Sequence, residues 1–289
     1  MPLYEETLDI KAFTNGIDQS VNQNLIPITS AYKCINCNID DGTLKRADGS
    51  NIHTSTSITN GDDLMVHYIN GNPTYLIGKD GDILNTANAI IFNGSGGKWD
   101  YINYQKDLDQ LTIFTNGTNN VKAYDGSTFR DLLSGDSGVY GGKAPKGKYI
   151  ELHKERVWIS GVTENPNRLY FSDDFNPDDW TFPTAENEAN EYGGFIDVPT
   201  WDGGVIVGIK NLFDDMMVFK THNVFRIFGT YPGNYTTTQV FQTTNGRIVE
   251  SSIATRENVV LWLTTEGVYS FGGTNTTPIH MKIQKEFER

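Results

Sequence analysis

The chain has 289 residues, enough to bury a sizeable core in one large domain or two small ones. It carries 36 acidic against 23 basic residues, a formal net charge of −13. That balance argues against tight, sequence-independent binding to nucleic acid, which needs concentrated Lys and Arg to release counterions from phosphates. The composition is 37% hydrophobic and 12% aromatic with 29 Gly, and it is rich in Asn and Thr. Val, Ile, Tyr, Phe and Thr suit half-buried pleated surfaces, and Gly and Asn suit turns with positive φ, so the expected class is all-β.

The first 60 residues lack any rhythm of paired strands. Stretches such as Asn22-Gln23-Asn24-Leu25-Ile26-Pro27 and Ser55-Thr56-Ser57 read as an extended N-terminal arm leading into a first strand. The start, Met1-Pro2-Leu3-Tyr4-Glu5-Glu6, is acidic and lacks the apolar run of a signal peptide, so synthesis in a cytoplasm is expected. No stretch approaches the roughly 20 apolar residues of a membrane span. Cys34 and Cys37 form a lone Cys-x-x-Cys. A structural zinc site needs four ligands and a redox motif opens a helix after a strand; neither context is present, so ordinary reduced thiols are expected.

From residue 61 to 289, short apolar runs recur with turn signals between them. They are Tyr75-Leu76-Ile77, Leu111-Thr112-Ile113-Phe114, Arg156-Val157-Trp158-Ile159-Ser160, Met216-Met217-Val218-Phe219 and Val259-Val260-Leu261-Trp262-Leu263. The last four each lead, after a few polar residues, into a second strand: Val121–Tyr124, Leu169–Ser172, Val224–Phe228 and Val268–Phe271. From Ile77 to Ile113, Trp158, Val218 and Leu261 the steps are 36, 45, 60 and 43 residues. Propeller blades occupy about 40–50 residues. The pattern predicts a β-propeller-like domain over 61–289 with about five or six blades, with a β-sandwich as the alternative. The long step predicts an insertion or an extra strand between Gly193 and Val207. The segment Met281–Arg289 reads as a strand turning into a short helix, or as a cut through a longer protein.

Several motifs imitate chemistry. Gly142-Lys143-Ala144-Pro145-Lys146-Gly147-Lys148 fits the phosphate-cradling loop, but Tyr149 stands where Ser or Thr should hold Mg²⁺, and a strand follows where a helix should open. Gly135-Asp136-Ser137-Gly138 matches the surroundings of a serine-protease nucleophile. Val139 replaces the expected second Gly, and the upstream histidines His53 and His67 lack a supporting signature, so a loop between blades is expected. Lys79-Asp80-Gly81-Asp82 and Asp40-Asp41-Gly42 lack the alternating oxygen ligands and closing Glu of a calcium loop and read as solvated turns. Ser172-Asp173-Asp174-Phe175-Asn176-Pro177-Asp178-Asp179-Trp180 is similar to the Asp-box hairpin of sialidase propellers. In that element Asp side chains accept backbone N–H bonds and the Trp packs into the blade. It supports a propeller without implying glycan cleavage, for which no carboxylate pair can be picked from sequence.

Two segments resemble one family. The first runs Phe13-Thr14-Asn15-Gly16-Ile17-Asp18, then Ala31, then Asn36-Cys37-Asn38-Ile39-Asp40-Asp41-Gly42-Thr43-Leu44-Lys45-Arg46-Ala47-Asp48-Gly49. The second is Pro145-x-Gly147-Lys148-Tyr149-Ile150, His153 and Arg156-Val157-Trp158-Ile159, with Arg168-Leu169-Tyr170-Phe171-Ser172 and Trp180. Together they cover about half the chain and resemble, in order, the propeller-type structural proteins of bacteriophage tails and necks. That family includes hub, nozzle and packaged-DNA stabilisation proteins of short-tailed phages. Asn15 stands where a second Gly is common, and the chain is shorter than many relatives, so their platform and tip domains are expected to be missing.

The resemblance implies a virion protein made in the bacterial host cytoplasm. It would be one subunit of a homo-oligomeric ring in the tail or head–tail connector that extends the DNA channel and helps retain packaged DNA. Its partners would be other tail or portal-adaptor proteins, with DNA passing without sequence-specific contact; an acidic wall fits such a channel. No catalytic, cofactor-binding or metal-ligating residue is assigned, and no enzyme activity or cofactor is expected. The alternative is a propeller-type receptor- or glycan-binding tail protein, with Trp99, Tyr101, Tyr231 and Tyr235 as candidate aromatics.

Overall fold

The computed structural model describes residues 37–40, 43–46, 60–106, 109–182, 192–199, 201, 203–244 and 246–281. Strands β1 (Cys37–Asp40) and β2 (Thr43–Arg46) form an antiparallel hairpin that pairs Ile39 with Leu44. The rest of the predicted arm, including Cys34 and His53, lies outside the described residues, as does the segment after Met281.

Twenty further strands make five four-stranded antiparallel sheets, each a meander in sequence order. Blade 1 holds β3 (Asp63–Ile69), β4 (Asn72–Lys79), β5 (Asp82–Asn85) and β6 (Ile90–Phe92). Blade 2 holds β7 (Asp100–Lys106), β8 (Asp109–Thr115), β9 (Lys122–Tyr124) and β10 (Phe129–Asp131). Blade 3 holds β11 (Tyr149–His153), β12 (Arg156–Ser160), β13 (Arg168–Phe171) and β14 (Gly194–Asp197). Blade 4 holds β15 (Ile206–Leu212), β16 (Asp215–Lys220), β17 (Asn223–Phe228) and β18 (Thr236–Gln242). Blade 5 holds β19 (Ala254–Arg256), β20 (Val259–Thr264), β21 (Gly267–Phe271) and β22 (Thr276–Pro278). Among the described residues there is no α-helix, only short 3₁₀ turns at Pro232–Asn234 and Glu250–Ser252.

The first strands pack on one another around an axis, β3 on β7, β7 on β11, β11 on β15 and β15 on β19. This is β-propeller architecture with five described blades, and the alternative of two stacked sheets is set aside. The five apolar runs singled out from sequence are the second strands of the five blades. Second strands in the middle of the ring are buried on both faces, every residue of β12 and β16 being buried, so they read as unbroken apolar runs. The long step between blades 3 and 4 has a different origin from the one expected. Gly194–Asp197 is the ordinary fourth strand of blade 3, and the additional length lies before it, between β13 and β14.

Turn chemistry follows the sequence. Asn70-Gly71 joins β3 to β4 with φ of 50° and 79°, and Asp80-Gly81 joins β4 to β5 with φ of 52° and 91°, the left-handed pairs that tight hairpins need. Four apolar clusters cement the junctions between successive blades. Met65, Leu76 and Phe114 lie between blades 1 and 2, and Ile113, Ile150 and Trp180 between blades 2 and 3. Trp158, Ile209 and Met216 lie between blades 3 and 4, and Phe219, Val260 and Trp262 between blades 4 and 5. Each fully buried side chain of this size contributes about 2–3 kcal/mol relative to exposure.

Candidate functional site at the mouth of the axial channel

Each first strand, with the residues leading into it, sends side chains to the propeller axis. There the five blades ring a cavity of about 290 Å³ lined by Asp63, Lys98, Asp100, Lys148, Tyr149, Lys210 and Glu250, among others. The strands put these groups at the axis because one edge of every blade must converge there. Polar residues survive at that position because they meet each other rather than apolar surface.

The charges form two linked sets. In the inner set, Lys210 on β15 lies 3.4 Å from a Glu151 carboxylate oxygen on β11. Asn211 donates to the other Glu151 oxygen at 3.4 Å and also to the Leu152 carbonyl. On β7, Asp100 accepts the backbone N–H groups of Tyr101 at 3.1 Å and Ile150 at 3.0 Å, which ties blade 2 to blade 3. Burial raises the pKa of Asp100 and of Glu151, while the Lys210 charge pulls both back. Burial also opposes the charged Lys210 amine, but Asp100 and Glu151 together outweigh it and its pKa ends raised. One cation thus serves two buried carboxylates.

The outer set is more exposed. Lys148 bonds Glu250 at 2.7 Å across the mouth, joining blade 3 to the turn before blade 5. Glu250 also takes a hydrogen bond from Tyr149, whose hydroxyl pKa is raised by burial first and by that carboxylate second. Asp63 accepts the Trp99 backbone N–H at 2.7 Å, and its pKa is raised by burial. The carboxylates therefore have amine or backbone N–H partners, and the arrangement is that of a polar plug tying blades together. Among the described residues no three His, Cys, Asp or Glu side chains stand close enough to hold a metal ion.

The motifs that imitate chemistry take structural roles. Gly142–Lys148 is irregular chain running into β11, with no helix behind it. Its second glycine is needed for close packing, since a Cβ at Gly147 would lie 2.3 Å from Ile159 Cγ2 and 2.4 Å from the Ser160 carbonyl. Gly135–Gly138 is a turn between β10 and β11 in which Asp136 accepts the Gly138 N–H at 2.7 Å. His67 is buried on β3, its Nδ1 2.7 Å from Thr112 Oγ1, far from that turn in the blade order. Asp82 accepts the Gly94 N–H at 2.9 Å, so the Lys79–Asp82 turn fastens β5 to the chain after β6.

In Ser172–Trp180 the side chains do what the sequence implied. Trp180 is buried and its Nε1 donates to the Pro177 carbonyl at 3.0 Å, while Asp179 accepts the Thr181 N–H at 2.9 Å. Asp178 reaches back to blade 2, where it takes a bidentate pair from Arg130 at 2.7 and 2.8 Å and the Leu133 N–H at 3.1 Å. Of the aromatics considered for glycans, Trp99 is buried beside blades 1 and 2, Tyr101 stacks on Phe114, and Tyr235 packs edge-on against Trp158. Tyr231 is the well-exposed member of the four, at 45%. The axial network itself was missed by sequence reasoning. The available signals were Lys210, a charge within the largely apolar strand β15, and the acidic residues Asp63 and Asp100 that open β3 and β7.

No family model matches the sequence, and no curated protein sequence matches it. Solved structures do match in shape. Raptor from Chaetomium thermophilum aligns with a TM-score of 0.52 at 10% identity, over 77% of this chain and 20% of that one. The extracellular domain of BT4673 from B. thetaiotaomicron aligns with a TM-score of 0.42 at 12% identity, over 80% of this chain and 34% of that one. The N-terminal domain of Nup159 gives a TM-score of 0.41 at 9% identity, over 78% of this chain and 66% of that one. The likeness is one of fold. This chain spans a fifth of the Raptor chain and about a third of the BT4673 domain, and at such identities nothing beyond architecture carries across. Among the described residues no helix is long and apolar enough to cross a membrane.

Proposed function

We propose that this protein is a structural subunit of a phage virion, built into a homo-oligomeric ring of the tail or head–tail connector, without catalysis. The observation that carries the reading is the ordered pair of sequence patterns resembling phage tail and neck proteins. The second pattern corresponds to the inner three strands of blade 3 with the buried Trp180, which contribute Ile150, Val157, Ile159 and Tyr170 to one apolar cluster. Two features of the molecule support it. The axial carboxylates are engaged by amines and backbone N–H groups, which suits a rigid scaffold better than a site that must exchange substrate. The formal charge of −13 suits a wall along which DNA slides without sticking.

Immunogold labelling of purified virions from the source phage or induced prophage tests the reading. Gold at the neck or tail axis is the expected result. Gold on peripheral fibres would favour receptor or glycan recognition instead, and absence from particles would overturn both. Light scattering on the purified protein complements it, with the proposal expecting a ring, alone or on adding the adjoining connector protein.

A further inference from the structure

The four apolar clusters fill the junctions from blade 1 to blade 5, and the two outermost blade faces enter none of them. On blade 1, Met65 and His67 point toward blade 2, so alternation puts Leu64, Val66 and Tyr68 on the opposite face, beside Tyr75 and Ile77 of β4. That face is apolar, with Ile77 and Leu84 buried at its centre and a rim open at Leu64 (66%), Tyr68 (45%) and the neighbouring Ile90 (54%). On blade 5, Val260 and Trp262 pack against blade 4, which leaves Val259, Leu261 and Leu263 on the other side. The burial of β20 alternates residue by residue, buried toward blade 4 and half-buried away from it, whereas β12 and β16 are buried throughout. Two apolar sheet faces therefore have no neighbouring blade among the described residues, and contiguous apolar faces of this kind mark contact surfaces.

We infer that the hairpin β1–β2, Cys37–Arg46, is the core of a further, partial blade that seats between the free faces of blades 5 and 1 and closes the ring. The hairpin repeats the supersecondary unit of the other blades, an antiparallel strand pair. Sixteen residues separate it from β3, a connection long enough to bring it to the free face of blade 1. The 62 residues before β3 exceed the length of one blade, about 40–50 residues, leaving enough chain to fill a junction and still reach outward. A pleated face is the natural cover for the free side of blade 1, because blade stacking buries one pleated face on another.

Hydrogen–deuterium exchange on the full chain, read by mass spectrometry, tests this. Ile39→Asp with Leu44→Asp places charge on the register pair at the centre of the hairpin. The expected result is exchange at least tenfold faster in β20, β21, β3 and β4, with β12 and β16 unchanged as the internal control for folding. A milder pair, Ile39→Ala with Leu44→Ala, gives the same localised pattern in smaller measure and covers the case in which the charged pair unfolds the protein. Unchanged exchange in β20 and β3 in both variants overturns the inference, as does loss spread evenly over every blade. Protection of those strands that rises with protein concentration and ignores both variants also overturns it, because a second copy would then be the cover.

Discussion

Replacing Lys210 by Met is the sharpest probe of the axial network. Lys210 is the one amine within 4 Å of Glu151 among the described ion pairs, and its charge also lowers the pKa of Asp100. At 3.4 Å and an effective dielectric constant of about 20, the Lys210–Glu151 attraction alone is about 5 kcal/mol. The Lys210 side chain is 30% exposed, so water screens part of this, and the carboxylates keep their backbone and Asn211 hydrogen bonds. A loss of about 2–3 kcal/mol at pH 8 is expected, below the 3–5 kcal/mol of a fully buried pair. The pH dependence is the discriminating part. Glu151 and Asp100 already titrate above their ordinary values in the folded state, so their protonation favours folding at low pH and that help is lost as pH rises through the raised values. Removing Lys210 raises them further. The destabilisation is therefore small at pH 4 and grows to its full size by neutral pH, and adding Glu151→Gln recovers much of it. Urea denaturation followed by tryptophan fluorescence measures each case, since Trp158 pairs directly with Glu151 across β11 and β12. A loss that is the same at pH 4 and pH 8, or that Glu151→Gln deepens, would refute the reasoning.

Three further outcomes are expected. Gly147→Ala should cost about 1–3 kcal/mol by overpacking against Ile159 and the Ser160 carbonyl, and ATP with Mg²⁺ should leave the melting temperature of wild type unchanged; a nucleotide-dependent rise would restore the phosphate-loop reading. His153 is held neutral, burial first and the Lys154 charge second lowering its pKa to about 4, so stability present above pH 6.5 is lost as pH falls toward 4. That limb amounts to about 3 kcal/mol if fully expressed and should be missing from a stability–pH curve of His153→Gln. Asp178→Ala removes the bidentate Arg130 pair and the acceptor for the Leu133 N–H, and should lower stability by about 1–2 kcal/mol in thermal denaturation, with Arg130→Ala non-additive on top of it.

The architecture was legible because its signal is local. A second strand in the middle of a propeller is packed on both faces, as β12 and β16 are, and all five second strands announced themselves as apolar runs at blade-like spacing. The third strands followed in blades 2 to 5, joined by two-residue turns in blades 4 and 5 and by longer polar connections in blades 2 and 3. Blade 1 was harder, since β5 is the four residues Asp82–Asn85 and half of them are polar. The displaced length in blade 3 was misplaced for a similar reason: Gly194–Asp197 carries two apolar residues in four and looks like a connection. The axial network was illegible because it is assembled from single charged residues on four strands and two connecting turns far apart in sequence. Lys148 and Glu250, bonded at 2.7 Å, are 102 positions apart, and no periodicity links them.

The same contrast explains why the ring's open junction is visible only in three dimensions. In sequence, Leu64, Val66 and Tyr68 are ordinary outward residues of an alternating strand, and an exposed apolar residue needs no account by itself. What gives them meaning is the company they keep: an apolar face on blade 1 with nothing from blade 2 on it, and its counterpart on blade 5, where β20 is half-open on the side away from Trp262. Among the described residues, blades 2, 3 and 4 each have a blade on both sides, while blades 1 and 5 have one on a single side. A propeller gains its stability from neighbour contacts, so its two end blades are the weakest unless something covers them. The segment Asn36–Gly49, part of the first of the two patterns behind the proposed function, contains the hairpin inferred to do this. Local exchange rates in β3 and β20 therefore report on the one junction where the fold and the proposed assembly meet.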